Sequence, residues 1–194
     1  MTEWRLFDGD TAYVSTAEFH AHRDRAAHLE DPLHRPRLER AAEFVRDAIS
    51  MGAQTASDLG CGDGGLLSVI QGDLEAWGYD FCPANTAGWA ERGVSAEFAD
   101  VFGEDQDRVK FGDLTVVTEV LEHLADPHGA VRLIGEHSRF IVGSSPWTES
   151  AQAHDECHAW AFDPFGYKAL IEQGGYTVVR HETVGCFQVI LGSK

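Results

Sequence analysis

Beyond two prolines at 32 and 36, Leu38, Ala41, Ala42, Val45 and Ile49 recur every three or four positions, the spacing of one helix face, and Gly52 marks the stop. From there short apolar runs alternate with amphipathic stretches. The pattern predicts strands over 55–59, 76–79, 96–99, 114–117 and 140–143, and helices over 66–74, 83–92, 126–134 and 164–173. Two closing strands, 176–181 and 187–191, are joined through Gly185 with no helix between them, so they pair antiparallel as a hairpin. Upstream, Ser15 with Glu18 has the form of a capping box and opens a helix that ends before Pro32. Strand–helix alternation implies a parallel sheet covered on both faces. The expectation is a doubly wound α/β sheet with an antiparallel last strand. Residues 1–194 form a single domain, with an N-terminal helical cap over 1–44, a core over 45–194, and a loop over 144–163 long enough to act as a flap.

Composition narrows the partners. The chain has 194 residues, 15 Lys+Arg against 32 Asp+Glu, and a net charge of −17. Residues 51–140 alone hold 5 bases and 16 acids. Such a chain repels polyphosphate unless its bases gather on one face, so nucleic acid is an unlikely partner. The only basic concentration, Arg23, Arg25, Arg35, Arg37, Arg40 and Arg46, is interleaved with acids and reads as a solvated helix face laced with i,i+4 pairs. No apolar run approaches the ~20 residues that span a bilayer. The first residues lack the basic-then-apolar order of a secretory signal, and Cys61, Cys82, Cys157 and Cys186 show no paired spacing. These features predict a cytoplasmic protein with reduced thiols and no membrane partner.

The sharpest local signal is Asp58-Leu59-Gly60-Cys61-Gly62-Asp63-Gly64-Gly65, between a strand and a helix. Glycines there let the backbone turn tightly and approach a ligand, and the N–H groups opening the next helix attract negative charge. Asp80 closes the second strand, where a carboxylate can accept hydroxyl hydrogen bonds from a ribose. Gly60, Gly62 and Gly65 also satisfy the dinucleotide pattern G-x-G-x-x-G. Asp58 weighs against that reading, because an anion before the first glycine suits an ammonium better than a pyrophosphate. Asp100, after the third strand, adds an acceptor for an exocyclic adenine amine. An amino group, a ribose and an adenine without phosphates together describe S-adenosylmethionine.

On these residues the chain resembles the class I S-adenosylmethionine-dependent methyltransferases over roughly 45–191. Asp58 to Gly64 matches their glycine-rich first motif, Asp80 their ribose acid, and Asp100-Val101 the adenine-side position. Thr118 to Pro127 and His158 to Tyr176 resemble segments of the subgroup that contains the ubiquinone-biosynthesis enzymes. The usual Lys-Pro-Gly-Gly turn before the fifth strand is replaced by Gly135-Glu136-His137-Ser138-Arg139. The resemblance implies a seven-stranded sheet ordered 3-2-1-4-5-7-6 with strand seven antiparallel. It also implies a methyltransferase that holds S-adenosylmethionine with Asp58, Gly60, Cys61, Gly62, Asp80, Phe81, Asp100, Val101 and Glu119. The acceptor is expected to be a small molecule, with O-methylation favoured.

A hydroxyl acceptor needs a base or a metal to take up its proton. Glu122, His123, His154 and His158 are the candidates for that chemistry, His123 because an imidazole accepts a proton near neutral pH. Glu119-x-x-Glu122-His123 also resembles the metal-binding segment of small-RNA 3′-terminal 2′-O-methyltransferases. That resemblance makes Glu119, Glu122, His123 and His158 an alternative divalent-metal set and RNA an alternative acceptor. A chain that binds S-adenosylmethionine without catalysis is the third alternative. No metal is favoured. Trp147, Trp160 and Phe162 either wall the acceptor pocket or pack the 144–163 loop onto the sheet. His20, His22, His28 and His34 are expected at the surface. Oligomeric state leaves no mark in the sequence.

Overall fold

The computed structural model describes residues 3–5 and 17–194, with side chains from Glu18 onward. β1 (Glu3–Arg5) and α1 (Ala17–His20) precede α2 (Arg35–Ser50). Pro36 sits in the first turn of α2, where a missing N–H leaves no helical bond unmade. The core then runs β2 (Thr55–Leu59), α3 (Gly65–Ile70), β3 (Glu75–Asp80), α4 (Thr86–Arg92), β4 (Ala96–Phe98) and β5 (Leu114–Thr118). It continues through α5 (Pro127–His137), β6 (Phe140–Pro146), β7 (Trp160–Phe162), α6 (Pro164–Glu172), β8 (Thr177–Val184) and β9 (Phe187–Ser193). Asp126 and Asp163 cap α5 and α6, accepting from the backbone N–H three residues on, and each is followed by Pro in the first helical turn.

Seven strands form one sheet in the order β4-β3-β2-β5-β6-β9-β8, which is 3-2-1-4-5-7-6 when the sheet strands are counted alone. β2 pairs parallel with β3 and β5, while β9 runs antiparallel between β6 and β8. The order in which successive strands are laid down reverses at β2, so a crevice opens beyond the carboxyl ends of β2 and β5. Leu38, Phe44, Leu66, Ile70 and Trp89 of α2, α3 and α4 pack with one face of the sheet. Val131, Ile134, Tyr167 and Leu170 of α5 and α6 pack with the other. The central strands are buried on both sides: every residue of β5 and β6 is buried. That is why they read as apolar runs rather than alternating patterns.

The N-terminal segment departs from expectation. Ser15 lies outside the described residues, and α1 ends at His20 rather than near Pro32. Residues 21–34 instead run as turns whose backbone polar groups find partners elsewhere: Ala26 N donates to the buried Asn85 Oδ1 at 2.9 Å, and Leu29 O accepts from Arg35 Nε at 2.8 Å. A helix there would have consumed that backbone donor and that carbonyl internally. β1 pairs antiparallel with β7 as a second, two-stranded sheet with no counterpart in the sequence reading.

The arginine-rich stretch is not a solvated i,i+4 face. Arg25, Arg40 and Arg46 reach Asp63, Glu182 and Asp73, and Arg37 is 0% exposed. Within the helix only Arg40–Glu43 pairs, at i,i+3. All four cysteines are free. Among the described residues no helix is long and apolar enough to cross a membrane.

Candidate functional site

β2 delivers Asp58 and Leu59 to the crevice, and the chain turns through Gly60, Gly62 and Gly64 at φ of 79°, 55° and 82°. Gly60 N and Cys61 N both donate to Tyr79 O, at 2.8 and 2.9 Å, lashing the turn to β3. A Cβ on Gly60 would collide with Val120 Cγ2, so both backbone sign and space demand glycine there. Asp80, at the end of β3, receives Gly62 N on Oδ2 at 2.9 Å, and Cys82 N and Asn85 Nδ2 on Oδ1 at 2.8 and 3.0 Å. Of roughly four acceptor directions on a carboxylate, one on Oδ2 is left for a ligand hydroxyl. Burial raises the Asp80 pKa, and these three hydrogen bonds oppose the rise.

Asp58 is 1% exposed, and its Oδ1 has no hydrogen-bond partner among the described residues. Burial first, then the neighbouring Asp80 charge, push its pKa up to about 7, with Arg37 pulling the other way. Such a carboxylate is poised to ionise against a cationic group. The start of α3 is already filled by the chain's own anion: Asp63 Oδ1 accepts from Gly65 N at 3.1 Å, and its Oδ2 lies 2.9 Å from Arg25 Nε and 2.8 Å from Arg92. A pyrophosphate would have to compete with that carboxylate, so the turn is built for a ligand without phosphates. Cys61, Phe81, Asp100 and Val101 line the same crevice. Burial raises the Asp100 pKa and pushes the Cys61 thiol well up.

β5 delivers the other half. Glu119 follows it at φ 56°, the single non-glycine in the left-handed region among the described residues. Its Oε1 accepts from Ser144 Oγ at 2.8 Å and lies 3.8 Å from Arg37 Nε. Burial raises the Glu119 pKa and the Arg37 charge restrains it. Arg37 also donates to Ser144 Oγ at 3.2 Å and reaches Nδ1 of His28 and His34, whose rings stack 4.1 Å apart. His20, His28 and His34 are therefore half-buried cavity walls rather than surface groups, and only His22 of the four is exposed.

The four groups expected to handle the acceptor proton separate. His123 and His158 face the cavity with ring centres 4.6 Å apart. His123 Nδ1 sits 3.1 Å from Cys157 O, and burial drives its pKa down to about 3. His158 Nδ1 sits 2.7 Å from Glu149 Oε2. Glu122 is 1% exposed, does not line the cavity, and neither of its carboxylate oxygens has a partner among the described residues. Burial, then Glu119, raise its pKa well above the ordinary value. His154 is exposed, its Nδ1 turned to Asp155 O at 2.7 Å, and it too lies outside the cavity lining. It follows the turn closed by the Ser150–Ala153 bridge, and its exposure there is something no spacing rule reveals.

The alternative metal set Glu119, Glu122, His123 and His158 is thus not gathered on one cavity wall, because Glu122 is withdrawn into the core. Donor atoms of His123, Cys157 and His158 do lie within 4.8 Å of one another. Arg23 stands 3.3 Å from Cys157 Sγ, however, and a guanidinium at a thiol opposes a second cation. Trp160 and Phe162 stack on each other, and Phe162 belongs to the core. With Trp147 they are absent from the cavity lining, so the loop aromatics pack rather than wall the pocket. Glu149, Arg37 and the Arg25–Asp63–Arg92 cluster escaped the sequence reading. The arginines pair with residues far along the chain, Glu149 meets His158 only through the fold of their shared loop, and no local pattern announces either.

Both halves open into one cavity of about 1240 Å³. A family model described as "Methyltransferase domain" matches residues 55–181. Among solved structures, magnesium protoporphyrin IX methyltransferase (ChlM) from Synechocystis PCC 6803 with bound SAH superposes with a TM-score of 0.66 at 10% identity, covering 91% of this chain and 92% of that one. The N-terminal domain of EvdMO1, solved in the presence of SAH and D-fucose, gives 0.60 at 18% identity over 82% and 83%. The methyltransferase domain of bacterial-CtHen1-CN gives 0.60 at 19% identity over 81% and 99%. No curated protein matches the chain in sequence.

Proposed function

The chain belongs to the methyltransferase-domain family, and we propose that it transfers a methyl group from S-adenosylmethionine to a hydroxyl of a small molecule. One observation carries this reading. A single cavity joins a phosphate-free carboxylate cradle to a histidine–carboxylate pair that can receive a proton. The unpartnered Oδ1 of Asp58 takes the ammonium, the open direction on Asp80 Oδ2 a ribose hydroxyl, and Asp100 the adenine amine. Gly60 and Gly62 let the backbone lie close, with Cys61, Phe81, Val101 and Glu119 on the flanks. The cofactor supplies a methyl carbon on a cationic sulfur. What the chain supplies is alignment, since an in-line transfer gains most from holding both partners in register.

The cavity favours a small acceptor over RNA. Arg25 is engaged by Asp63 and Arg23 lies at Cys157, which leaves acids to dominate the lining. A phosphate backbone would meet repulsion there. Calorimetry with S-adenosylhomocysteine, followed by methyl transfer from labelled S-adenosylmethionine to a panel of catechols, sugars and hydroxy acids, tests the reading. Micromolar binding and transfer to a hydroxyl are expected. Failure to bind S-adenosylhomocysteine removes the cofactor assignment, and binding without transfer to any panel member favours a non-catalytic binder.

A further inference from the structure

We infer that His158 is the general base for the acceptor hydroxyl and that Glu149 is its positioning residue. The inference rests on the hydroxyl-methylation reading above and assigns its proton. Two imidazoles compete for the role, and the geometry separates them. His123 has its Nδ1 against a backbone carbonyl, at 3.1 Å from Cys157 O, and a buried imidazole in that setting stays neutral. Its pKa near 3 makes it a weak acceptor at neutral pH. His158 is different. Its Nδ1 lies 2.7 Å from Glu149 Oε2, with side chains 11% and 14% exposed, and both residues line the cavity. A proton donated from Nδ1 to the carboxylate fixes the tautomer and leaves the Nε2 lone pair for the acceptor.

Glu149 is itself held. Its Oε1 accepts from Asp155 N at 2.9 Å, while Ser150 and Ala153 bridge to close the turn between. His158 N donates back to Asp155 O at 3.1 Å, so base and carboxylate hang from the same small loop. The charged and titratable groups that face His158 are Glu149, Glu119 and Asp155, with His123 edge-on, and Cys157 and Arg23 behind them. Three carboxylates around one imidazole favour its cationic form in the transition state. In the step itself the hydroxyl proton passes to His158 Nε2 as the oxygen–methyl bond forms. The sulfur–methyl bond breaks with its electron pair kept on sulfur, giving the neutral thioether, and the imidazolium then returns its proton to water.

The test uses the full chain saturated with S-adenosylhomocysteine, with histidine side chains labelled for nitrogen NMR. The wild type is expected to show His158 as the Nδ1–H tautomer. Glu149→Gln abolishes that preference, whereas His123→Asn leaves it in place. With a hydroxyl from the panel, His158→Gln lowers kcat by about 10³-fold. Glu149→Gln lowers kcat by about tenfold at unchanged KM and shifts the acid limb of the rate profile, and Glu149→Asp restores part of the loss. An Nε2–H tautomer, a His158→Gln enzyme within about threefold of wild type, or turnover abolished by a chelator would overturn the assignment. Intact S-adenosylhomocysteine binding alongside any of these outcomes overturns this inference alone, and lost binding in the wild type overturns the function it rests on.

Discussion

The two halves of the cavity are held by different physics. The cofactor half is compact: Asp58, Gly60, Gly62 and Asp80 lie on adjoining strand ends, and their hydrogen bonds run from the turn to the neighbouring strand β3. The acceptor half is assembled over long distances, with Arg37 reaching Ser144 and Arg23 reaching Cys157. They also titrate in opposite senses. Asp58 has a folded pKa of about 7 against an ordinary 3.8, so its contribution to stability declines as pH rises from about 4 through 7. His28 and His123 have folded values of about 4 and about 3 against 6.5, so the unfolded chain takes their protons first, and stability declines as pH falls below 6.5. A cradle that waits for a cation is uncomfortable when ionised, and a wall of buried imidazoles is uncomfortable when protonated.

That contrast can be broken at several points, beginning with the largest effect. Arg37→Ala strands Glu119 as a buried acid beside two orphaned imidazoles, and a loss of about 3 kcal/mol in unfolding free energy is expected in urea titrations. Should Arg37→Ala cost less than 1 kcal/mol, the acceptor half does not depend on the long-range network. Asp80→Ala removes the acceptor of three protein hydrogen bonds and the ribose site, and calorimetry should record S-adenosylhomocysteine binding weakened about 30-fold to 100-fold. Asp58 gives a pH signature: bound ammonium favours its ionised form, so affinity rises as pH climbs through about 7 and binding below that releases a proton. Flat affinity between about pH 6 and 8 would separate Asp58 from the cofactor.

Glu122→Gln sharpens the comparison further. Its folded pKa is raised, so the protonated acid is the stable form and stability falls as pH rises above the ordinary value of 4.5. The amide variant should match wild type in mild acid and exceed it in melting temperature at alkaline pH. A variant that loses turnover with cofactor binding intact would return Glu122 to the chemistry. The smallest effect belongs to His154→Ala, an exposed site outside the cavity, where rate and stability should both stay within experimental scatter.

Much of this was legible in the chain. Apolar runs of four to eight residues between glycine and proline signals marked the start of each strand of the sheet within a residue, while β6 and β8 run three residues past their expected ends. Gly60, Gly62 and Asp80 fell on the strand ends that the α/β rule assigns to ligands. Those features are short-range, fixed by backbone sign, strand period and sequence spacing, and a one-dimensional reading suffices for them. The end of the first helix well before Pro32, the burial of Arg37 and Glu122, and the exposure of His154 were not legible. Each turns on which way a side chain points after the N-terminal turns and the 146–158 loop dock on the sheet, and spacing carries no information on that. The sequence by itself determined the strands of the sheet and the cradle for a phosphate-free cofactor, and the order of the strands came with the family resemblance. Only the tertiary structure set Glu149 against His158 and a backbone carbonyl against His123, because burial and the fold of one loop decide which groups meet each imidazole.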